Sequence, residues 1–305
     1  MSKSERLLML SDLMLLAVAA VWGTSYGVVK SALAFYPVLG LLALRFGITF
    51  ALLTPSLRAL RTTNARTLRG VVGVGLLLLA VFLCETFGIL MTRAANAAFL
   101  ISVCVVLTPL VEWGLLRRAP SRVEWLAVLL SLGGAWLLAG AGTLSVNPGD
   151  ALILLAALLR ALTVCVTKHV MRDPALPPLT VTAVQSGVVA MGSTVAALLF
   201  APRQWPALPS WHAHPAFWGY VAYLVIACTL FAFFAQNFAI KRSSPTRVSL
   251  LMGSEPAFGA LFACLWLGER ISLTAWVGGG LIVAASVLAT VRWSAWRPAR
   301  MPAGT

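Results

Sequence analysis

The chain has 305 residues, 60% of them hydrophobic and only 10% charged, with a formal net charge of +14 and a mean hydropathy of +0.92. A soluble domain needs roughly a quarter of its residues charged to cover its surface; this chain is excluded from that class, and its outer surface must face lipid. The positive charge does not mark a nucleic-acid partner either, because the basic residues sit in short clusters between apolar stretches, as membrane topology demands.

Ten apolar segments of about 20 residues, the length of a bilayer crossing, follow one another at 8–30, 37–55, 68–91, 94–116, 122–141, 148–170, 178–200, 216–240, 245–268 and 272–291. Pro37, Pro55, Pro120, Asn147-Pro148, Pro177-Pro178 and Pro215 punctuate them. The first segment, preceded by Lys3 and Arg6, has the outline of a signal peptide, but it has a counterpart later in the chain and is read as a span. Within it, Gly23-Thr24-Ser25-Tyr26-Gly27 spells Gly-x-Ser-x-Gly. A nucleophile elbow needs a preceding strand and a histidine partner. This string lies inside a helical span, and His169, His212 and His214 lie at a span end or in a loop. No catalytic residue is expected. Gly23 and Gly27, four apart, instead form a small-residue stripe for close helix packing, and Trp22 and Tyr26 form the stripe beside it.

Five cysteines, an odd number with no C-x-x-C pair, all lie in apolar segments. Neither a disulfide framework nor a metal site is suggested. No G-x-x-x-x-G-K-[ST] loop is present, so ATP is not expected to act directly, and no cofactor is expected.

Of the 23 Lys and Arg residues, 17 fall in loops on the side of the N-terminus and 4, Lys30, Arg93, Arg203 and Arg270, on the other. The positive-inside rule then puts both termini in the cytoplasm, in a bacterial-type inner membrane. The chain also repeats itself. A shift of 138 aligns the first and sixth spans, with Asp12 on Asp150 and Lys30 on Lys168; a shift of 140 aligns Pro37 with Pro177; a shift of 149 aligns Phe82 with Phe231. Pro109 answers Pro256 in the fourth and ninth spans, and Trp125 answers Trp276 in the fifth and tenth. Two units of five spans, 8–141 and 148–291, precede a basic tail at 292–305. An odd number of spans inverts the second unit, an arrangement typical of transporters with a site near mid-bilayer. The expected fold is therefore an all-α integral membrane protein of ten transmembrane helices in two inverted five-helix repeats around a central cavity.

The motifs "WGTSYGVVK", "LALRF", "SEPAFGALFACLWLGERIS" and "WVGGGLIVAASVL" resemble the EamA family of the drug/metabolite transporter superfamily over residues 8–291. The run from Pro256 to Leu267-Gly268-Glu269 is their most specific part; the first unit lacks Leu-Gly-Glu after Pro109. The resemblance implies ten helices around a cavity and proton-linked or facilitative export of amino acids and other small metabolites, most like the branch that handles aromatic amino acids.

Charges inside spans are expensive and need reasons. Arg45 and Glu85 lie about 12 and 9 Å below the outer surface, and Arg160 and Glu255 near the midplane, at about 1.5 Å per residue. Matching depths suggest two ion pairs, Arg45–Glu85 as a structural clamp and Arg160–Glu255 at a substrate site. Trp22 takes the place of Arg160 in the repeat, so an aromatic and a cation share one depth. Glu255 beside Pro256, which lacks a backbone donor, suits an ammonium group or a proton; Arg160 suits a carboxylate; Trp22, Tyr26, Phe82, Phe99 and Glu85 complete the expected site, with Gly23, Gly27, Pro109 and Pro256 as packing residues. Glu112 is one turn from Arg117, and it and Asp12 read as interfacial pairing or capping residues. A small-molecule substrate and the lipid bilayer are the expected partners. The main competing reading is a multidrug or organic-cation exporter, with an intramembrane serine hydrolase and a channel disfavoured. Substrate identity, coupling ion and oligomeric state are not set by the sequence.

Overall fold

The computed structural model describes residues 3–92, 94–139, 147–200, 207–267 and 272–290. Arg93, Arg203, Gly268, Glu269, Arg270 and the tail 292–305 lie outside them. The first unit is built from α1 (Lys3–Leu33), α2 (Val38–Leu53), a 3-10 segment Thr54–Thr62, α3 (Ala65–Met91), α4 (Ala94–Ser102), α5 (Cys104–Leu116) and α6 (Arg122–Ala139). The second is built from α7 (Pro148–Val170), α8 (Pro178–Phe200), α9 (Pro215–Val225), a π turn Ile226–Phe231, α10 (Ala232–Arg242), α11 (Pro245–Met252), α12 (Glu255–Leu267) and α13 (Leu273–Thr290).

Helix starts follow local chemistry. Ser121 and Glu124 form a reciprocal capping box before α6, Glu124 N donating to Ser121 Oγ at 3.2 Å and Ser121 N to Glu124 Oε2 at 2.8 Å. Asn64 and Asn147 accept from Thr67 N and Asp150 N at 2.7 and 2.9 Å, satisfying donors that the first turn leaves open. Arg117 ends α5 at φ 56°, the left-handed conformation that closes many helices.

Among the described residues nine helical stretches are long and apolar enough to cross a bilayer. The ninth span of the sequence crosses in two pieces, α11 and α12, parted at Gly253-Ser254. Pro256 has no N–H to offer Met252, and a side chain at Gly253 would put its Cβ 2.6 Å from Val105 Cγ2. The fourth span is also parted, at Val103 between α4 and α5. Interrupted helices at matching places in two repeats are a recurrent mark of a transport site.

Neighbours in the bundle obey the repeat. α2 packs on its mate α8, and α6 on its mate α13; α1 packs on α12 as α7 packs on α4 and α5; α3 packs on α7 as α9 and α10 pack on α1. Swapping the two units leaves this set of neighbours unchanged, as a two-fold between inverted halves requires. Gly134 and Gly278 set the closeness of one crossing, since a Cβ on either would lie 2.5 Å from the other's carbonyl oxygen. Outward-facing Leu129, Leu198 and Leu265 are exposed, as side chains in contact with lipid.

Among the described residues, the face where α1 begins and α13 ends, here the terminal face, is tied at several points. Asp12 takes a two-pronged ion pair from Arg247, at 3.1 and 2.6 Å, and Arg247 also reaches Thr290 O at 3.2 Å. Glu112 accepts from Thr246 N and Oγ1 at 2.9 and 2.5 Å and from Arg118 at 3.3 Å. Its ion-pair partner is thus Arg118, while Arg117 closes α5 in the left-handed conformation. Two carboxylates of the first unit thereby hold consecutive residues of α11. Lys168 Nζ caps the end of α10 through Ile240 O at 2.9 Å. At the far face, Thr92 donates to Asp150. Glu112→Gln should lower thermal stability in detergent by about 2 kcal/mol, the scale of lost hydrogen bonds to a buried charge; an unchanged melting point would show that Glu112 holds nothing.

Candidate functional site

Helices of both units enclose a central cavity of about 830 Å³, counting the space that opens outward. α1 supplies Trp22, Ser25 and Tyr26; α2 supplies Arg45; α3 supplies Phe82, Glu85 and Thr86; α7 supplies Arg160 and Thr163; α10 supplies Phe233 and Gln236; α12 supplies Glu255. A second, smaller space of about 380 Å³, again counting what opens outward, lies toward the terminal face, between α5, α7, α11 and the start of α12. Arg160, Val164, Gln236 and Glu255 line both, so these four side chains form the partition.

The partition is built by backbone approach. A Cβ at Gly23 would stand 2.5 Å from Glu255 O and 2.8 Å from Gly259 N, so α1 lies directly on the start of α12. That crossing brings Glu255 to the depth of Trp22. Arg160 Nη2 then meets Glu255 Oε2 at 3.1 Å, and its Cζ lies 4.6 Å from the centre of the Trp22 ring, a cation–π geometry. The indole Nε1 donates to Cys228 O at 3.0 Å, inside the π turn, a feature frequent at functional sites. The expected pairing of Arg160 with Glu255, and of Arg160's depth with Trp22's, describes this geometry.

Arg45 and Glu85 require a correction. Both line the cavity, but among the described residues they form no ion pair. The Arg45 Nε donates to Thr229 Oγ1 at 2.5 Å and Nη2 to Cys228 O at 3.1 Å, and its Cζ lies 5.1 Å from the ring centres of both Phe46 and Phe82. The π turn presents this acceptor set at the depth of Arg45, and the guanidinium is drawn to it. Glu85 has neither hydrogen bond nor ion pair among the described residues.

Phe99 is also corrected: it is buried away from the cavity, edge-on to Trp136 with ring centres 5.5 Å apart, because the break at Val103 turns α4 toward α6. Gly27 carries no packing; nothing lies within 4 Å of a Cβ placed there. Phe82 does line the cavity and meets Phe46 edge-on at 4.7 Å. Pro109 sits inside α5, where Thr108 joins Ser249 Oγ at 3.1 Å, and Pro256 lines the second chamber. Ser25 Oγ donates to Trp22 O at 2.8 Å, a hydroxyl folded back on its own helix.

Phe233 and Gln236 were missed by the sequence reading. Gln236 and its neighbour Asn237 are amides inside a span, which is itself a signal. Only Gln236 faces the cavity. Asn237 is turned to α8, donating to Thr182 Oγ1 and Gln185 Oε1 at 3.0 and 2.8 Å.

A family model described as the EamA-like transporter family matches residues 9–140 and again 147–291. An "Uncharacterized transporter" of Archaeoglobus fulgidus is 25% identical over 292 residues, covering 92% of this chain and 86% of that protein. The "Uncharacterized inner membrane transporter YedA" of Escherichia coli K12 is 28% identical over 287 residues, covering 91% and 89%. A solved structure described only as "Crystal structure of protein" superposes with a TM-score of 0.73 at 20% identity, over 92% of this chain and 96% of that one; it shares the fold.

Proposed function

The chain belongs to the EamA-like transporter family, and from that premise we propose that it is a secondary transporter exporting amino acids, aromatic ones among them, and related small metabolites by alternating access. The observation that carries the reading is one cavity between two repeat-related halves, walled by Trp22, Tyr26, Phe82 and Phe233 and holding side chains of both charge signs. Aromatic walls take an apolar side chain, and the paired signs suit a zwitterion. The partition Arg160–Glu255 is the floor on which the substrate rests. Interrupted fourth helices in both units support motion of one half against the other. The terminal face, which carries most of the Lys and Arg, is the cytoplasmic one, and the membrane is the bacterial inner membrane. A proton gradient is the proposed driving force.

Uptake of labelled amino acids and organic cations into liposomes holding the pure protein, with and without a pH gradient, tests the reading. Gradient-stimulated amino-acid uptake is the expected result. Uptake of organic cations alone would replace it with a cation exporter, the reading favoured if Glu85 acts by itself among the rings. Orientation has its own test: single cysteines placed at 58–66 should react with impermeant reagent only from the cytoplasm, and those at 207–214 only from outside. The reverse labelling would invert the topology.

A further inference from the structure

We infer that Arg45 and Glu85, which fail to pair with each other, are the two charged jaws of the substrate site, Arg45 holding the carboxylate and Glu85 the ammonium group of an α-amino acid. This rests on the transporter reading above and adds which residues hold the ligand. Of the four charges on the cavity, Arg160 and Glu255 already neutralise one another at 3.1 Å; a ligand that used them would first have to break that pair. Arg45 and Glu85 carry no such obstacle.

The cation is fixed from behind. Thr229 Oγ1 and Cys228 O hold Nε and Nη2, and the rings of Phe46 and Phe82 flank the group at 5.1 Å. Nη1 has no hydrogen-bond partner among the described residues, although a guanidinium has five donors to place. All of its acceptors are neutral, so its charge is uncompensated by contact. Glu85 stands one helical turn beyond Phe82 on α3. Its carboxylate is likewise without a partner, and its oxygens are not sealed in protein: the only fully buried side-chain oxygens or nitrogens lacking partners among the described residues are Tyr26 OH and Ser193 Oγ. The carboxylate therefore opens on the cavity. Tyr26 lines the same cavity with its ring, while its hydroxyl is sealed in protein and is no part of the proposed ligand set. A positive and a negative group too far apart to meet, in one space bounded by aromatic rings, match a molecule that carries both charges and an apolar side chain. A purely cationic ligand leaves Arg45 uncompensated, and a purely anionic one leaves Glu85 so.

The test is equilibrium binding to the purified protein of three probes sharing one ring: L-phenylalanine, 2-phenylethylamine, which lacks the carboxylate, and 3-phenylpropanoate, which lacks the ammonium. Wild type should bind L-phenylalanine at least about tenfold more tightly than either analogue, the scale of one lost hydrogen bond to a charged group. Arg45→Gln should weaken L-phenylalanine by about 10- to 100-fold and leave 2-phenylethylamine unchanged. Glu85→Gln should weaken L-phenylalanine similarly and leave 3-phenylpropanoate unchanged. Arg45 also braces the π turn, so Arg45→Gln can fail to fold; Glu85 braces nothing, and its variant keeps the inference testable. If Glu85→Gln binds L-phenylalanine as wild type does, or loses all three probes equally, the inference fails while the transporter reading stands. If wild type binds none of the three, the amino-acid reading fails with it.

Discussion

Neutralising either Arg160 or Glu255 alone, as Arg160→Gln or Glu255→Gln, should destabilise the protein by about 3–5 kcal/mol, because each leaves the other charge buried without its counter-ion. The two side chains are largely buried, 13% and 7% exposed. Neither has a second oppositely charged neighbour within ion-pair reach among the described residues. The double variant should recover most of that stability, since the penalty of a lone charge disappears when both charges go. Thermal denaturation of the three variants in detergent gives the cycle. Equilibrium binding adds the functional half: with the ligand held by Arg45 and Glu85, the double variant should still bind L-phenylalanine, although the partition between the two chambers is weakened. Single variants as stable as wild type would mean that the pair is not buried as described. A double variant that folds yet loses all binding would return Arg160 and Glu255 to the role of direct ligand contacts.

Gly23→Val should be the more damaging of two substitutions that look alike in sequence. Its Cβ would stand 2.5 Å from Glu255 O and 2.8 Å from Gly259 N, and both are backbone atoms that no rotamer change can move. The two helices must separate, which costs about 1–3 kcal/mol for overpacking and more for a branched side chain. Separation also withdraws Glu255 from Arg160, so transport should fall along with the melting temperature. Gly27→Val meets nothing within 4 Å and should change stability by no more than about 0.5 kcal/mol. Equal effects of the two would refute the placement of α1 on α12.

Gly23 and Gly27 also show where reading the sequence stops. Their spacing makes one stripe, and helical periodicity cannot say that only its first member meets another helix. α12 meets α1 at Gly23, and nothing lies within 4 Å of a Cβ placed on Gly27. Phe99 makes the same point: its span is legible, yet the break at Val103 that turns it to Trp136 has no Gly or Pro to announce it. The break at Gly253-Ser254 was the readable one, because Pro256 lacks a donor and glycine has no side chain to resist the close approach of Val105.

The spans, the repeat and the depth of every intramembrane charge were determined by the sequence alone. Transfer of apolar residues into lipid is a local, additive preference that hydropathy reports, and a helix converts residue number into depth at a fixed rise. Trp22 and Arg160 were placed at one level by that conversion, as were Arg45 and Glu85. Depth is one coordinate, and contact needs three. Whether two groups at one level meet depends on the rotation and crossing of their helices. Those are set by the glycine crossing at Gly23 and Gly259 and by the π turn that offers Cys228 O and Thr229 to Arg45. Only the tertiary structure therefore decided that Arg160 pairs with Glu255 while Arg45 and Glu85 face each other's cavity without touching.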